Sequence, residues 1–259
     1  MNEPTLYPKS GLIRFKIELS YDGTNFSGWA KQPNLRTVQG EIEAALAKVI
    51  GAPVDTIVGG RTDAGVHALA QIIHIDLPDT FNEIENLAFK LNRILDDDIR
   101  INNCEVAPDN FHARFSALSR TYKYKIIDGL QVVPPLKRFD TVAWYRKLDE
   151  KLMYQASSLL LGTKDFKAFC KFRADQSTVR TLQEFSWKRI EGELIATVRA
   201  DSFCYSMVRN LVGAVVCIGE GRYEKDWIVK VLEEKERVSD SYVFPANRSE
   251  EHTSELQSH

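Results

Sequence analysis

The chain has 259 residues, 44% hydrophobic and 27% charged, with a formal net charge of −2 at pH 7. This is a globular composition, rich enough in apolar residues for one large domain or two ordinary ones, and a net charge that does not advertise a nucleic-acid partner. Met1 to Ser10 is polar and Pro-containing and does not read as a signal peptide, and no run approaches the roughly 20 apolar residues of a membrane span.

Along the chain, Ile13, Phe15, Ile17 and Leu19 alternate with Arg14, Lys16, Glu18 and Ser20, the period of a half-buried strand. Tyr21 to Leu35 is a loop holding Gly23, Gly28 and Trp29. Thr37 offers an N-cap to a helix with Val38, Ile42, Ala45, Leu46 and Val49 on one face, and Gly51 closes it. Val54–Val58 and Gln71–Leu77 read as strands, Ile84 to Leu95 as a helix, and Ile99–Val106 as a further strand. Asp96-Asp97-Asp98 reads as a solvated turn rather than a metal cluster. The order β-α-β-β-α-β is the ferredoxin-like plan.

The second half starts the same plan. Thr121–Ile127 is a strand with Tyr122, Tyr124 and Ile126 on one face. Pro134-Pro135 argues for loop from Gln131 to Val142. Leu148, Leu152, Ala156 and Leu159 mark a helix ended by Gly162. Phe185–Ile190 and Leu194–Ala200 form a hairpin about Glu191-Gly192. Phe203, Met207, Leu211 and Val215 share a helix face, and Trp227, Ile228, Val231 and Leu232 add a shorter helix. A closing strand is due after Pro245-Ala246, and no apolar run supplies it. Cys104, Cys170, Cys204 and Cys217 are scattered and read as reduced packing residues rather than disulfides or zinc ligands.

The chemistry concentrates in Gly59-Gly60-Arg61-Thr62-Asp63-Ala64-Gly65-Val66-His67-Ala68. Its glycines permit close backbone approach, and on an extended run Arg61 and Asp63 share a face. Taken alone, Asp63 reads more readily as a cap or Asx-turn than as a catalytic acid, and the residues leave both open. A metal site using Asp63, His67 and His74 is a distant alternative. Charge is unevenly spread: Phe111 to Ile127 has no acidic residue but holds His112, Arg114, Arg120, Lys123 and Lys125 among Phe115, Tyr122 and Tyr124. A second basic segment carries Lys164, Lys167, Lys171, Arg173 and Arg180, partly offset by Asp165 and Asp175. Such segments suit a phosphate-tracking, base-stacking surface, or an ordinary solvated strand face.

Several of these stretches, in order, resemble the motifs of tRNA pseudouridine synthases of the TruA type. They are Tyr21-Asp22-Gly23-Thr24 with Gly28-Trp29, Thr37-Val38-Gln39-Gly40, Gly60 to His67, Phe111 to Ala117, and Met207 to Gly213. The resemblance covers roughly residues 12 to 247. It implies an α+β fold of two ferredoxin-like halves, 12–110 and 111–247, with a largely antiparallel sheet and a central cleft. It further implies isomerisation of uridine to pseudouridine in the tRNA anticodon stem-loop, by a cytoplasmic homodimer without cofactor or metal. A non-catalytic RNA-binding protein of the same fold is the alternative. On this resemblance Asp63 is the catalytic acid, as nucleophile or as base. Arg61 contacts the backbone or fills the place of the extruded uridine, Tyr122 stacks on the uracil, and Arg209 partners the carboxylate. Arg114, Arg120, Lys123 and Lys171 are weaker RNA-binding candidates.

Residues 248–259 resemble the translation of a sequencing adapter, with one aliphatic residue and no period of two. The natural sequence is therefore expected to end at Asn247, before the last strand and its pocket Leu, and 248–259 is expected to lie outside the sheet. Without this tail the basic and acidic residues balance.

Overall fold

The computed structural model describes residues 6–129, 131–171, 177–236, 241–246 and 249–255. Arg173, Asp175, Asn247, Arg248 and the end of the tail lie outside the described residues. The chain forms two compact units, one reaching to Leu118 and including the residues from Glu251, the other running from Ser119 to Glu250.

The alternation from Ile13 to Leu19 becomes β1 (Leu12–Tyr21), burying Phe15, Ile17, Leu19 and Tyr21. Its apolar face packs against α1 (Val38–Ile50), whose Thr37 side chain caps the Gly40 N–H and whose Gly51 ends it in the left-handed region. β2 (Ile57–Val58) leads into β3 (His67–Pro78), and α2 (Ile84–Asn92) is followed by β4 (Ile99–Val106). β1 lies antiparallel between β3 and β4, with Ile17 opposite Ile73 and Cys104, and β2 pairs with the outer side of β3. This is the ferredoxin-like order. Arg14 departs from the polar face expected for it: it is buried, with its guanidinium on Asp76 at 2.8 Å and on the carbonyls of Leu6 and Phe111. Asp96, Asp97 and Asp98 are ion-pair partners, Asp96 and Asp98 of Arg36 and Asp97 of Arg100.

β5 (Ala117–Asp128) enters the second unit at Ser119, and from Arg120 it pairs antiparallel with β9 (Glu193–Ala200), which pairs with β8 (Val179–Ile190). Glu191 and Gly192, both at positive φ, close the β8–β9 hairpin, the conformation a two-residue turn requires. Two short strands escape the sequence pattern. β6 (Thr141–Trp144) runs parallel to β5 and takes up Thr141 and Val142, the end of the stretch read as loop, and β7 (Gly162–Asp165) edges β8 with almost no apolar residue. α3 (Glu150–Ser158), α4 (Met207–Gly219) and α5 (Trp227–Glu234) complete the unit. Phe203 precedes α4 rather than lying on it, and every residue of α4 except Arg209 is buried.

Two expectations are corrected here. Cys170 and Cys204, 34 residues apart, are joined as a disulfide with 5.8 Å between their Cα atoms, because the turn before α4 returns to the end of the segment Lys167–Phe169. Sequence spacing cannot reveal that approach. The tail was expected outside the sheet, yet Ser249–Glu255 forms β10. In the first unit its residues from Glu251 neighbour β3. In the second, Glu250 pairs with Lys125 at 2.7 Å. Backbone ladder bonds do not depend on side-chain identity, so a polar segment can take a strand position.

Candidate active site

The Asp63 loop connects β2 to β3 and is pressed backbone-to-backbone against the loop after β1. The Thr62 carbonyl accepts from Trp29 N–H at 3.1 Å, and Gly65 N–H donates to the Phe26 carbonyl at 3.2 Å. A Cβ at Gly23 would collide with the Val66 carbonyl. One at Gly28, where φ is +91°, would stand 3.0 Å from the Thr62 oxygen. Only glycine suits both contacts, which gives the spacing Gly23–Gly28 a physical reason.

Within the loop, Arg61 is exposed, Thr62 buried and Asp63 half-buried. The alternation sends Arg61 outward and anchors Thr62 inward, where its hydroxyl lies 2.7 Å from the Tyr21 hydroxyl. Val66 N–H donates to the Asp63 carbonyl at 3.2 Å, so the loop turns tightly on leaving Asp63. Gly60 is gripped by Gln71, whose Nε2 donates to its carbonyl at 2.9 Å and whose Oε1 accepts from its N–H at 3.4 Å. Burial, together with the nearby Glu251 carboxylate, holds the Tyr21 phenol protonated well above its ordinary range. Burial works against the Asp22 carboxylate, but hydrogen bonds from Thr24 and the adjacent His67 outweigh it and lower its pKa.

The histidines are structural. His67 Nδ1 lies 3.2 Å from Gly23 N and 3.0 Å from Asp22 Oδ1. His74 Nδ1 accepts from Ala113 N–H at 3.1 Å. Among the described residues no group of three His, Cys, Asp or Glu side chains gathers so as to hold a metal ion. His112, counted with a basic segment on sequence grounds, is buried, stacked on Phe115 at 4.4 Å, and accepts from Arg114 and Phe115 N–H. Burial lowers its pKa, so it adds no charge to a basic surface at neutral pH.

Arg61 and Asp63 thus share one loop of the first unit, whereas Tyr122 and Arg209 belong to the second. Tyr122, half-buried on β5 opposite Val198, meets the Phe203 ring edge-on at 5.2 Å. Arg209 is locked to Phe244, its Nε donating to that carbonyl at 2.6 Å and its own carbonyl accepting from that N–H. Arg114 is exposed in the first unit, with its guanidinium 5.6 Å from the Phe115 ring. In the second, Arg120 donates to the Asp201 carbonyl, Lys123 is half-buried opposite Thr197, and Lys171 is exposed beside Tyr205. Sequence alone gives Gln71 no role at this site. Its signal was a lone amide in the apolar run Ala70-Gln71-Ile72-Ile73.

A family model described as tRNA pseudouridine synthase matches residues 19–116 and 156–252. The tRNA pseudouridine synthase A of Frankia casuarinae is 49% identical over 239 residues, covering 92% of this chain and 87% of its own. Those of Streptomyces griseus and Cutibacterium acnes are 47% and 42% identical, covering 88% and 91% of this chain and 82% and 86% of theirs. With its Asp63 loop braced as described, this chain belongs to the tRNA pseudouridine synthase family.

Proposed function

We propose that this protein isomerises uridine to pseudouridine in tRNA, within the anticodon stem-loop, and that Asp63 carries the chemistry. The reaction breaks the N1–C1′ bond, forms C5–C1′, removes the proton from C5 and returns one to N1. Atoms and electrons balance within the nucleoside, so one positioned carboxylate suffices as nucleophile or base. The observation that carries the assignment is the half-buried Asp63 in a loop held on both sides by backbone and buried side-chain contacts, in a chain of this family. Freezing a reactive group in one geometry is itself catalytic.

The target base is drawn out of a stacked RNA, and stacking on an aromatic ring returns about 1–3 kcal/mol per base. Tyr122 is assigned that role, Arg61 the RNA backbone or the vacated place, and Arg209 a substrate-binding role. Arg114, Arg120, Lys123 and Lys171 are assigned to phosphates. The homodimer and the cytoplasmic location implied by the resemblance belong to the same proposal.

The test is pseudouridine mapping of bulk tRNA after incubation with the wild-type chain and with Asp63→Asn. The wild type is expected to convert anticodon-arm uridines. The variant is expected to convert none while binding tRNA within a few-fold of wild type, because affinity rests mainly on phosphate contacts. Near-normal turnover by the variant would remove Asp63 from the mechanism. Binding without conversion by the wild type would make the protein a non-catalytic RNA binder.

A further inference from the structure

We infer that Gln71 positions Asp63 through a relay of buried polar groups, Gln71–Tyr21–Thr62, that holds the loop at residues 60 and 62. The inference rests on Asp63 being the catalytic acid and names the residues that set its geometry.

Gln71 is fully buried on β3. A buried amide is costly unless its donors and acceptor are used. Here the carbonyl oxygen accepts from Gly60 N–H and from Ile72 N–H at 3.2 Å, and Nε2 donates to the Gly60 carbonyl. The Gln71 amide also stands close enough to the buried Tyr21 hydroxyl to act on it electrostatically, and that hydroxyl lies 2.7 Å from the Thr62 hydroxyl. The orientation is unambiguous, since flipping the amide would set oxygen against the Gly60 carbonyl.

These contacts pin the residues on either side of Arg61. Gly60 is held by two bonds from one side chain, and Thr62 by its hydroxyl within the relay and its carbonyl on Trp29. With Gly60 and Thr62 turned inward, Arg61 is directed outward and the backbone entering Asp63 is fixed. None of the three relay side chains has to touch substrate, so they act as positioning residues. A shift of about 1 Å in a reactive group costs on the order of 100-fold in rate, and released relay contacts would permit shifts of that size.

The test uses the full chain and reads the single-turnover rate of pseudouridine formation, tRNA affinity and melting temperature. Gln71→Met, Tyr21→Phe and Thr62→Val should each slow the single-turnover rate about 10- to 100-fold with tRNA affinity within about threefold. Thr62→Ser, which keeps the hydroxyl, should restore most of the rate. The Gln71→Met/Thr62→Val pair should lose little more than the worse single variant, since both break one relay. If Gln71→Met folds poorly, the Thr62→Val and Thr62→Ser comparison decides by itself, because it leaves the buried amide intact. Equal rates for the Val and Ser variants, or losses tracking melting temperature alone, would overturn the relay. Asp63→Asn is run alongside. An active Asp63→Asn sinks the catalytic assignment, whereas an inactive one together with wild-type rates in the relay variants sinks the positioning role alone.

Discussion

The rings of His74 and His112 lie 4.7 Å apart, and both accept backbone N–H groups at Nδ1. Their Nε2 atoms are buried and make no hydrogen bond among the described residues. Burial, then the Arg14 guanidinium and His112, push the His74 pKa down from 6.5 to about 3. Between those values the unfolded chain binds a proton that the folded chain refuses, so stability is complete above about pH 6.5 and is lost as pH falls. At pH 5 the loss from this residue is about 2 kcal/mol. His74→Asn, which keeps an acceptor for Ala113 N–H, should flatten the acid limb in urea unfolding compared between pH 7.5 and pH 5. Parallel losses in both proteins would mean that other groups set that limb. At this scale the sequence reveals residue types but not their surroundings. His112 looked cationic beside Arg114, and Gln71 looked like an interruption in an apolar strand, because burial is decided by segments distant in the chain.

The elements were legible where periodicity and caps agree. β1 alternates cleanly, and α1 carries both its Thr37 cap and its terminal Gly51. β6 and β7 were not, since four residues are too few to show a period and their pairing is supplied by the strands they edge. The loops of the candidate site fall between these cases: their glycines were visible, the reason for them was not. Gly23 marks where one loop lies directly on the other, whereas Gly51, at φ +82°, has open space around the position of a Cβ. Gly51→Ala should therefore cost only about 1–2 kcal/mol of left-handed strain. Gly23→Ala must force the Val66 carbonyl away, and should lower the melting temperature further and reduce turnover. Equal effects of the two substitutions would show that the loops separate without cost.

At the scale of the whole molecule, the sequence correctly implied an α+β chain built on mostly antiparallel strands, but not the fate of its last residues. The polar composition of 248–259 argued against a strand, yet β10 forms, because ladder bonding requires only backbone. The side chains bear the consequences. Glu250 reaches Lys125, which also holds Asp140 at 2.8 Å, so this carboxylate is compensated. Glu251 is completely buried, and its charge acts on the buried Tyr21 hydroxyl that steadies Thr62. Glu250→Leu deletes one of the two carboxylates on Lys125, while a buried leucine gains about 1.5–3 kcal/mol that offsets part of the lost pair. Its melting temperature should therefore stay within a few degrees of the wild type, at roughly 2–4 °C per kcal/mol for a chain of this size. Lys125→Met, which takes the cation from both Asp140 and Glu250, should fall well below it. Thermal unfolding of both variants beside the wild type checks the ordering. A larger fall for Glu250→Leu than for Lys125→Met would mean that the glutamate is held by more than its lysine.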